Sequence, residues 1–159
     1  MLKDHHTETT VLVLALVMGI LMAIAVMLLD GVPFNISNLF QIWAMISLVI
    51  LLASIFIPYK AWSAKCCKAL GLREGTLRWK LADGILPSLI LNTCNTLIVS
   101  AANIFYNEAI PASAQFGHWL HGCLRDWPIT LVISYFVAFV AEACGAWVAD
   151  KVCASKNTL

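Results

Sequence analysis

Charge is what this sequence lacks most: Asp, Glu, Lys and Arg make up only 12% of its 159 residues, whereas 61% are apolar. Soluble domains carry a charge on about 25% of their residues, so the composition excludes an ordinary soluble domain. The formal net charge of +1 also argues against binding to nucleic acid, which requires a concentrated basic face. We therefore expect a lipid bilayer, and no nucleic acid, among the partners of this chain.

Catalytic motifs are lacking as well. The sequence contains no nucleophile motif, no phosphate-binding glycine loop and no H-E-x-x-H zinc pair. We predict that the protein is not an enzyme and that it uses no cofactor.

Four long apolar segments are present instead, at residues 11–29, 39–57, 85–105 and 128–148. At about 1.5 Å of helical rise per residue, each is long enough to cross the roughly 30 Å hydrocarbon core of a bilayer. The pattern predicts an all-α integral membrane protein with four transmembrane helices. The first segment is longer than the apolar region of a signal peptide, so we expect it to be a retained helix.

The distribution of Lys and Arg predicts the orientation of these helices. Six of the ten basic residues lie between the second and third segments: Lys60, Lys65, Lys68, Arg73, Arg78 and Lys80. The connection at 30–38 has none, and the connection at 106–127 has only Arg125. Because basic loops stay in the cytoplasm, we predict a multi-pass protein of the cell membrane with both termini cytoplasmic.

The chain also shows signs of an internal duplication. Ile-Ser-Leu-Val-Ile at 46–50 is echoed by Ile-Thr-Leu-Val-Ile at 129–133, and Val32-Pro33 by Ile110-Pro111. These echoes favour two tandem helical hairpins, 1–72 and 73–159, linked by an extension of the second helix to about Leu70. Chance likeness between apolar helices is the alternative.

Several short motifs resemble a known family. They are Val-Met-Gly-Ile-Leu-Met-Ala at 17–23, Ile42-Trp43, Phe-Ile-Pro-Tyr-Lys at 56–60 and Asp-Trp-Pro-Ile-Thr at 126–130. With them the chain resembles short bacterial membrane proteins of an uncharacterised domain-of-unknown-function family with a two-span repeat. The resemblance implies a bacterial inner-membrane protein and carries no activity.

The topology is also similar to that of the proteobacterial antimicrobial compound efflux family. Those proteins hold a Glu inside the first span, whereas here Glu8 lies in the polar leader and no acidic residue occurs between 11 and 29. Drug efflux of that type is therefore not expected.

The third segment is unusually polar. Its polar residues recur mostly every three or four positions and share an arc of about 140° on a helix; they are Ser88, Asn92, Asn95, Thr96, Ser100, Asn103 and Asn107. Asn is costly in hydrocarbon unless its amide finds partners, so this stripe should face other helices or water. It serves either interhelical hydrogen bonding or the lining of a path.

Glu142 is the acidic residue that lies well inside the fourth segment, about 12 Å from its inner end by helical rise. An ionisable group inside a membrane suggests a functional role such as proton coupling, although a hydrogen-bonded Glu that holds helices together is an equal alternative. By depth, we expect Glu142 to approach Asn92 or Asn95 within the protomer or across a dimer. Tyr135, two turns away, would extend the polar path.

Two further patterns have ordinary readings. Rows of small residues predict close helix contacts in two segments. They are Ala15, Gly19 and Ala23 in the first segment, and Ala138, Ala141, Gly145 and Ala149 in the fourth. The H-x-x-H-x-C spacing of His118, His121 and Cys123, with Asp126 close by, offers metal-ligand types. We favour instead an interfacial helix over 112–124 that turns Phe116, Trp119 and Leu120 toward lipid, and we predict no metal site.

These observations lead to a prediction of function. We expect a small transporter or channel for a small solute or ion, working as a homodimer. The predicted path residues are Asn92, Asn95, Thr96, Ser100, Asn103, Tyr135 and Glu142. The alternative is a non-transporting membrane subunit or scaffold that binds a partner protein through the same polar faces.

Overall fold

The structure, a computed structural model, describes the backbone of residues 2–155 and the side chains of residues 6–29 and 31–152. The regular structure in this part of the chain is entirely helical: α1 (Leu2–Asp30), α2 (Ile36–Phe56), α3 (Tyr59–Ala69), α4 (Leu77–Phe105) and α5 (Ala112–Ser155). Helices α1, α2, α4 and α5 are long and apolar enough to cross a membrane. The predicted all-α class with four membrane-length helices is confirmed.

The four long helices pack as two antiparallel hairpins, α1–α2 and α4–α5. Helix α1 packs along both α2 and α5, and α4 packs along α5, α3 and α2. Their shared core holds Met18, Ile50, Leu91 and Ala141. We call the end with the connections 31–35 and 106–111 the loop end, and the end with α3 and the start of α4 the basic end.

The second helix ends earlier than the sequence predicted. Instead of extending to Leu70, α2 stops at Phe56, and Ile57 adopts an extended conformation with φ −110° and ψ 116°. The reason is Pro58, which disfavours helical geometry at the residue before it and has no N–H to donate. The chain restarts as α3, which ends at Ala69, just before Gly71 takes the left-handed φ of 70°.

A second proline accounts for the docking of α3 on α4. Pro87 lies inside α4 and cannot donate a hydrogen bond to the carbonyl of Asp83, four residues earlier. The Ser63 hydroxyl of α3 donates to that carbonyl instead, at 2.7 Å.

Cys67 is buried at the same contact. Burial, together with the Asp83 carboxylate, raises the pKa of the Cys67 thiol, so the thiol stays protonated at neutral pH.

The small-residue rows lie where helices meet within the protomer, as predicted. In α1, Ala15 and Ala23 are buried, and in α5, Ala141 and Ala149 are buried. At Gly145 an added Cβ would lie 3.0 Å from the backbone oxygen of Thr10. The absence of a side chain therefore allows α1 and α5 to approach closely.

We predict that Gly145→Leu lowers the thermal unfolding midpoint of the detergent-solubilised protein. Overpacking a tight contact costs about 1–3 kcal/mol, and a Leu here would push α1 away from α5. Ala146→Leu is the matched control, because Ala146 is exposed on the adjacent position of the same helix. Equal midpoints for the two variants would contradict the described α1–α5 contact.

Candidate functional site

The α4–α5 hairpin is held in register by interhelical hydrogen bonds, three of which involve Trp119, Trp127 and Asn92. The indole N–H of Trp119 donates to the Leu97 carbonyl at 3.1 Å, and that of Trp127 donates to the Thr93 hydroxyl at 3.0 Å. The Asn92 amide nitrogen donates to the Trp127 carbonyl at 3.2 Å. These bonds fix which residues of the two helices lie at the same level.

The predicted interfacial helix over 112–124 is not a separate element. It is the first part of α5, which continues through Pro128 to Ser155. Trp119 packs on α4, with its ring centroid 6.3 Å from that of Phe105 and its N–H bonded to the α4 backbone. Trp119 is half-buried because its indole N–H finds its acceptor on the neighbouring helix, whereas Phe116 and Leu120 are exposed; that these side chains turn toward lipid stays a prediction.

The polar stripe of α4 lines a cavity between α1, α2, α4 and α5, which we call the inner cavity. Its solvent-accessible volume is about 50 Å³, more than the 10–15 Å³ or so that one water molecule needs. All five predicted path residues of α4 line it: Asn92, Asn95, Thr96, Ser100 and Asn103. The other walls comprise Met22, Val26, Leu29, Ile46, Val99, Asp126 and Thr130.

The inner cavity continues into a wider space at the loop end, which we call the vestibule. The vestibule has a volume of about 340 Å³ and shares Leu29, Ser100, Asn103 and Asp126 with the inner cavity. His118, His121 and Arg125 contribute to its remaining wall. A polar passage therefore leads from the loop end into the interior of the bundle.

Two amide oxygens in the inner cavity lack partners. The side chains of Asn92 and Asn95 are 1% and 6% exposed, and neither Oδ1 atom has a hydrogen-bond partner among the described residues. The Ser88 hydroxyl, one turn closer to the basic end, is buried and unpartnered in the same sense. A buried polar atom without a partner costs about 1–3 kcal/mol, so a water molecule or ligand that reached these atoms would be stabilised by them.

Asp126 stands where the inner cavity meets the vestibule. Its two carboxylate oxygens accept hydrogen bonds from Arg125 Nε at 2.6 Å and Arg125 Nη2 at 3.1 Å. One turn further along α5, the Thr130 hydroxyl donates to the Asp126 carbonyl at 2.9 Å and lies 3.2 Å from the Trp127 carbonyl. Sequence reasoning missed Thr130 and Arg125 as site residues, although the four-residue spacing of Asp126 and Thr130 pointed to one helix face.

Glu142 and Tyr135 lie outside this cavity. Glu142 Oε1 is 3.2 Å from Lys60 Nζ, and both side chains are about half exposed. The Tyr135 hydroxyl donates to the Leu81 carbonyl at 2.8 Å. The structure therefore brings the five α4 residues together and leaves these two near the basic end.

The expected approach of Glu142 to Asn92 within the protomer is wrong. Asn92 bonds to Trp127, and Glu142 lies fifteen residues further along α5, about 22 Å by helical rise. The prediction assumed that Ile85 and Asp150 lie at the same depth at the inner ends of the two helices, whereas Tyr135 of α5 already lies level with Leu81 of α4, to which it bonds. Contact across a dimer stays a prediction.

The histidines and the cysteine of the H-x-x-H-x-C motif point in different directions. His118 and His121 line the vestibule, whereas the Cys123 thiol is buried 3.8 Å from the Thr96 carbonyl. Residues two apart on a helix do not share a face. Within the described part of the chain, no group of three or more His, Cys, Asp and Glu residues is arranged to hold a metal ion.

One comparison with known proteins gives a match. A family model described as "Domain of unknown function (DUF2798)" matches residues 80–149, so a domain of this kind comprises most of the α4–α5 hairpin and the polar wall of the inner cavity. No curated protein and no solved structure matches the chain.

We predict that the inner cavity admits water-soluble thiol reagents. In a cysteine-free background, Ser100→Cys should react with a methanethiosulfonate at least ten times faster than Ile98→Cys. The physical reason is that thiolates form in water, and Ile98 lies among apolar side chains between α2 and α4. Equal rates, or a faster reaction at position 98, would contradict a hydrated cavity.

Proposed function

We propose that the protein is a small membrane transporter or channel in which a small solute or ion moves along the polar face of α4 and binds in the inner cavity. The observation that carries this proposal is the pair of buried, unpartnered amide oxygens of Asn92 and Asn95 in a cavity that continues into the vestibule. Intramembrane polar groups that face a water-filled cavity are typical of solute and ion pathways.

The state described here supports a path that is open at the loop end and closed at the basic end. Beyond Asn92, the polar stripe of α4 continues with Ser88, whose hydroxyl is buried. One turn past the cavity-lining Met22 and Ile46, toward the basic end, Met18 and Ile50 are fully buried in the shared core with Leu91. Passage through the bundle would require these side chains to separate, as in a transporter that alternates its access.

We further propose that the basic end faces the cytoplasm of a bacterial cell and that both termini lie on that side. The six basic residues of the 60–80 region are all exposed at this end.

An impermeant maleimide added to intact cells tests the orientation. It should label Asn103→Cys, which lines the vestibule, and leave the exposed native Cys66 at the basic end unlabelled; the reverse pattern would overturn the orientation.

The remaining predictions about assembly follow from the same geometry. The inner cavity is enclosed by helices of one protomer, so a homodimer is not required to form the path; the homodimer itself stays a prediction. Two antiparallel hairpins support a duplication with repeats 1–72 and 73–159. The scaffold alternative is less well supported, because Asn92, Asn95 and Thr96 of the polar face lie buried inside the bundle, out of reach of a partner protein.

Flux into proteoliposomes tests the proposed function. We expect uptake of at least one small solute or ion above that of empty liposomes, and at least a tenfold loss in Asn92→Leu, which removes an acceptor oxygen from the inner cavity. Asn107→Leu is the matched control, because Asn107 belongs to the predicted stripe but does not line the inner cavity. It should retain the flux.

Two results would count against transport by this route. Absence of flux for a panel of small cations, anions and neutral solutes would favour the scaffold. Full flux in Asn92→Leu would show that the path does not pass through the inner cavity. Glu142→Gln, measured with a pH gradient, tests the separate prediction of proton coupling, and unchanged flux would remove Glu142 from the mechanism.

A further inference from the structure

We propose that the ligand of the inner cavity is a small monovalent cation, either an alkali ion or ammonium. This inference rests on the proposed function and names the class of ligand that the site takes. The argument depends on which polar atoms of the cavity wall still have a free lone pair or a free hydrogen.

The amide of Asn92 is held in one orientation. Its nitrogen donates to the Trp127 carbonyl at 3.2 Å, and a carbonyl can only accept, so the nitrogen must face Trp127. The Oδ1 atom consequently faces away from this bond and is buried without a partner among the described residues. What Asn92 offers a ligand is an acceptor.

Thr130 and Asp126 offer acceptors as well. The single hydroxyl hydrogen of Thr130 is directed at the backbone carbonyls of Asp126 and Trp127, which leaves only oxygen lone pairs for a ligand. The Asp126 carboxylate also only accepts, and its side chain is 22% exposed. Asn95 adds a second buried amide oxygen without a partner.

The free oxygens of Asn92, Thr130 and Asp126 attract cations and repel anions where α4 and α5 face each other across the inner cavity. Arg125 is the cation beside the inner cavity, and its guanidinium already donates two hydrogen bonds to Asp126 at the vestibule. An anion at this level of the cavity would therefore meet these three oxygens. Acceptor oxygens of this kind are the ligands that replace the hydration shell of a cation.

The charge and size of the site favour a monovalent ion. Sites for Ca²⁺ bring several carboxylates and six to eight oxygen ligands to the ion, whereas the inner cavity has one carboxylate, already paired with Arg125. A volume of about 50 Å³ holds an ion with a few water molecules and excludes bulky organic cations.

Thermal unfolding of the full-length protein in lipid nanodiscs tests the inference. NaCl, KCl and NH₄Cl are each titrated at constant chloride and ionic strength, with N-methyl-D-glucamine as the replacing cation. A ligand that binds only the folded state raises the unfolding midpoint, so we expect at least one of the three to give a saturable rise of roughly 5 °C at a hundredfold excess over Kd. The three titrations separate alkali ions from ammonium.

Two variants test whether the cation-dependent rise of the unfolding midpoint comes from the inner cavity. Asn92→Leu should abolish this rise, whereas Asn92→Asp, which keeps an acceptor oxygen, should retain or increase it. Should Asn92→Leu fail to fold, Thr130→Val provides the same contrast with little change of side-chain volume.

Three results would overturn the cation inference: equal midpoints in all cations, a midpoint that follows replacement of chloride by gluconate, or an unchanged rise in both Asn92→Leu and Thr130→Val. Flux of a neutral solute without any cation effect would leave the proposed function standing and remove this inference. A cation-dependent rise of the unfolding midpoint without any flux would count against transport and leave a cation-binding site in the inner cavity.

Discussion

A polar amide inside a bilayer must find a hydrogen-bond partner, and the arrangement of this protein depends on how α4 meets that requirement. The α4 stripe that contains Asn92 and Asn95 turns away from lipid and into the bundle, where α5 supplies some of the partners. Trp127 bonds to α4 through both its indole N–H and its carbonyl. The unpartnered oxygens of Asn92 and Asn95 belong to residues that line one small cavity inside the bundle, and the unpartnered Ser88 hydroxyl is likewise buried.

The prolines of the chain show the same requirement at the level of the backbone. Pro87 leaves the Asp83 carbonyl without its helical donor, and Ser63 supplies one from the neighbouring helix. Pro58 ends α2, and the Tyr59 hydroxyl that follows it lies 2.6 Å from Ser54, beside the break. At Pro87, a polar side chain near the basic end thus supplies a bond to the backbone that water would supply in a soluble protein.

Much of the fold and part of the site followed from periodicity in the sequence. Apolar segments of membrane length predicted the four long helices, and the three- and four-residue steps between the polar residues from Asn92 to Asn103 predicted that they share one face. Periodicity does not show how far one helix is shifted along its neighbour. Because of that shift, the predicted proximity of Glu142 and Asn92 within the protomer was wrong. The register of α4 against α5 is set by side-chain hydrogen bonds such as that of Trp119, and a single sequence does not predict these bonds.

The account therefore stands on one spatial claim: the amide oxygens of Asn92 and Asn95 face a hydrated interior. An experimental structure in a lipid nanodisc, at a resolution that shows ordered water, tests this claim most directly. We predict solvent or ion density within hydrogen-bond distance of both oxygens, continuous with density at Asp126. Acyl-chain density against this face of α4, or a collapsed and dry cavity, would contradict the account.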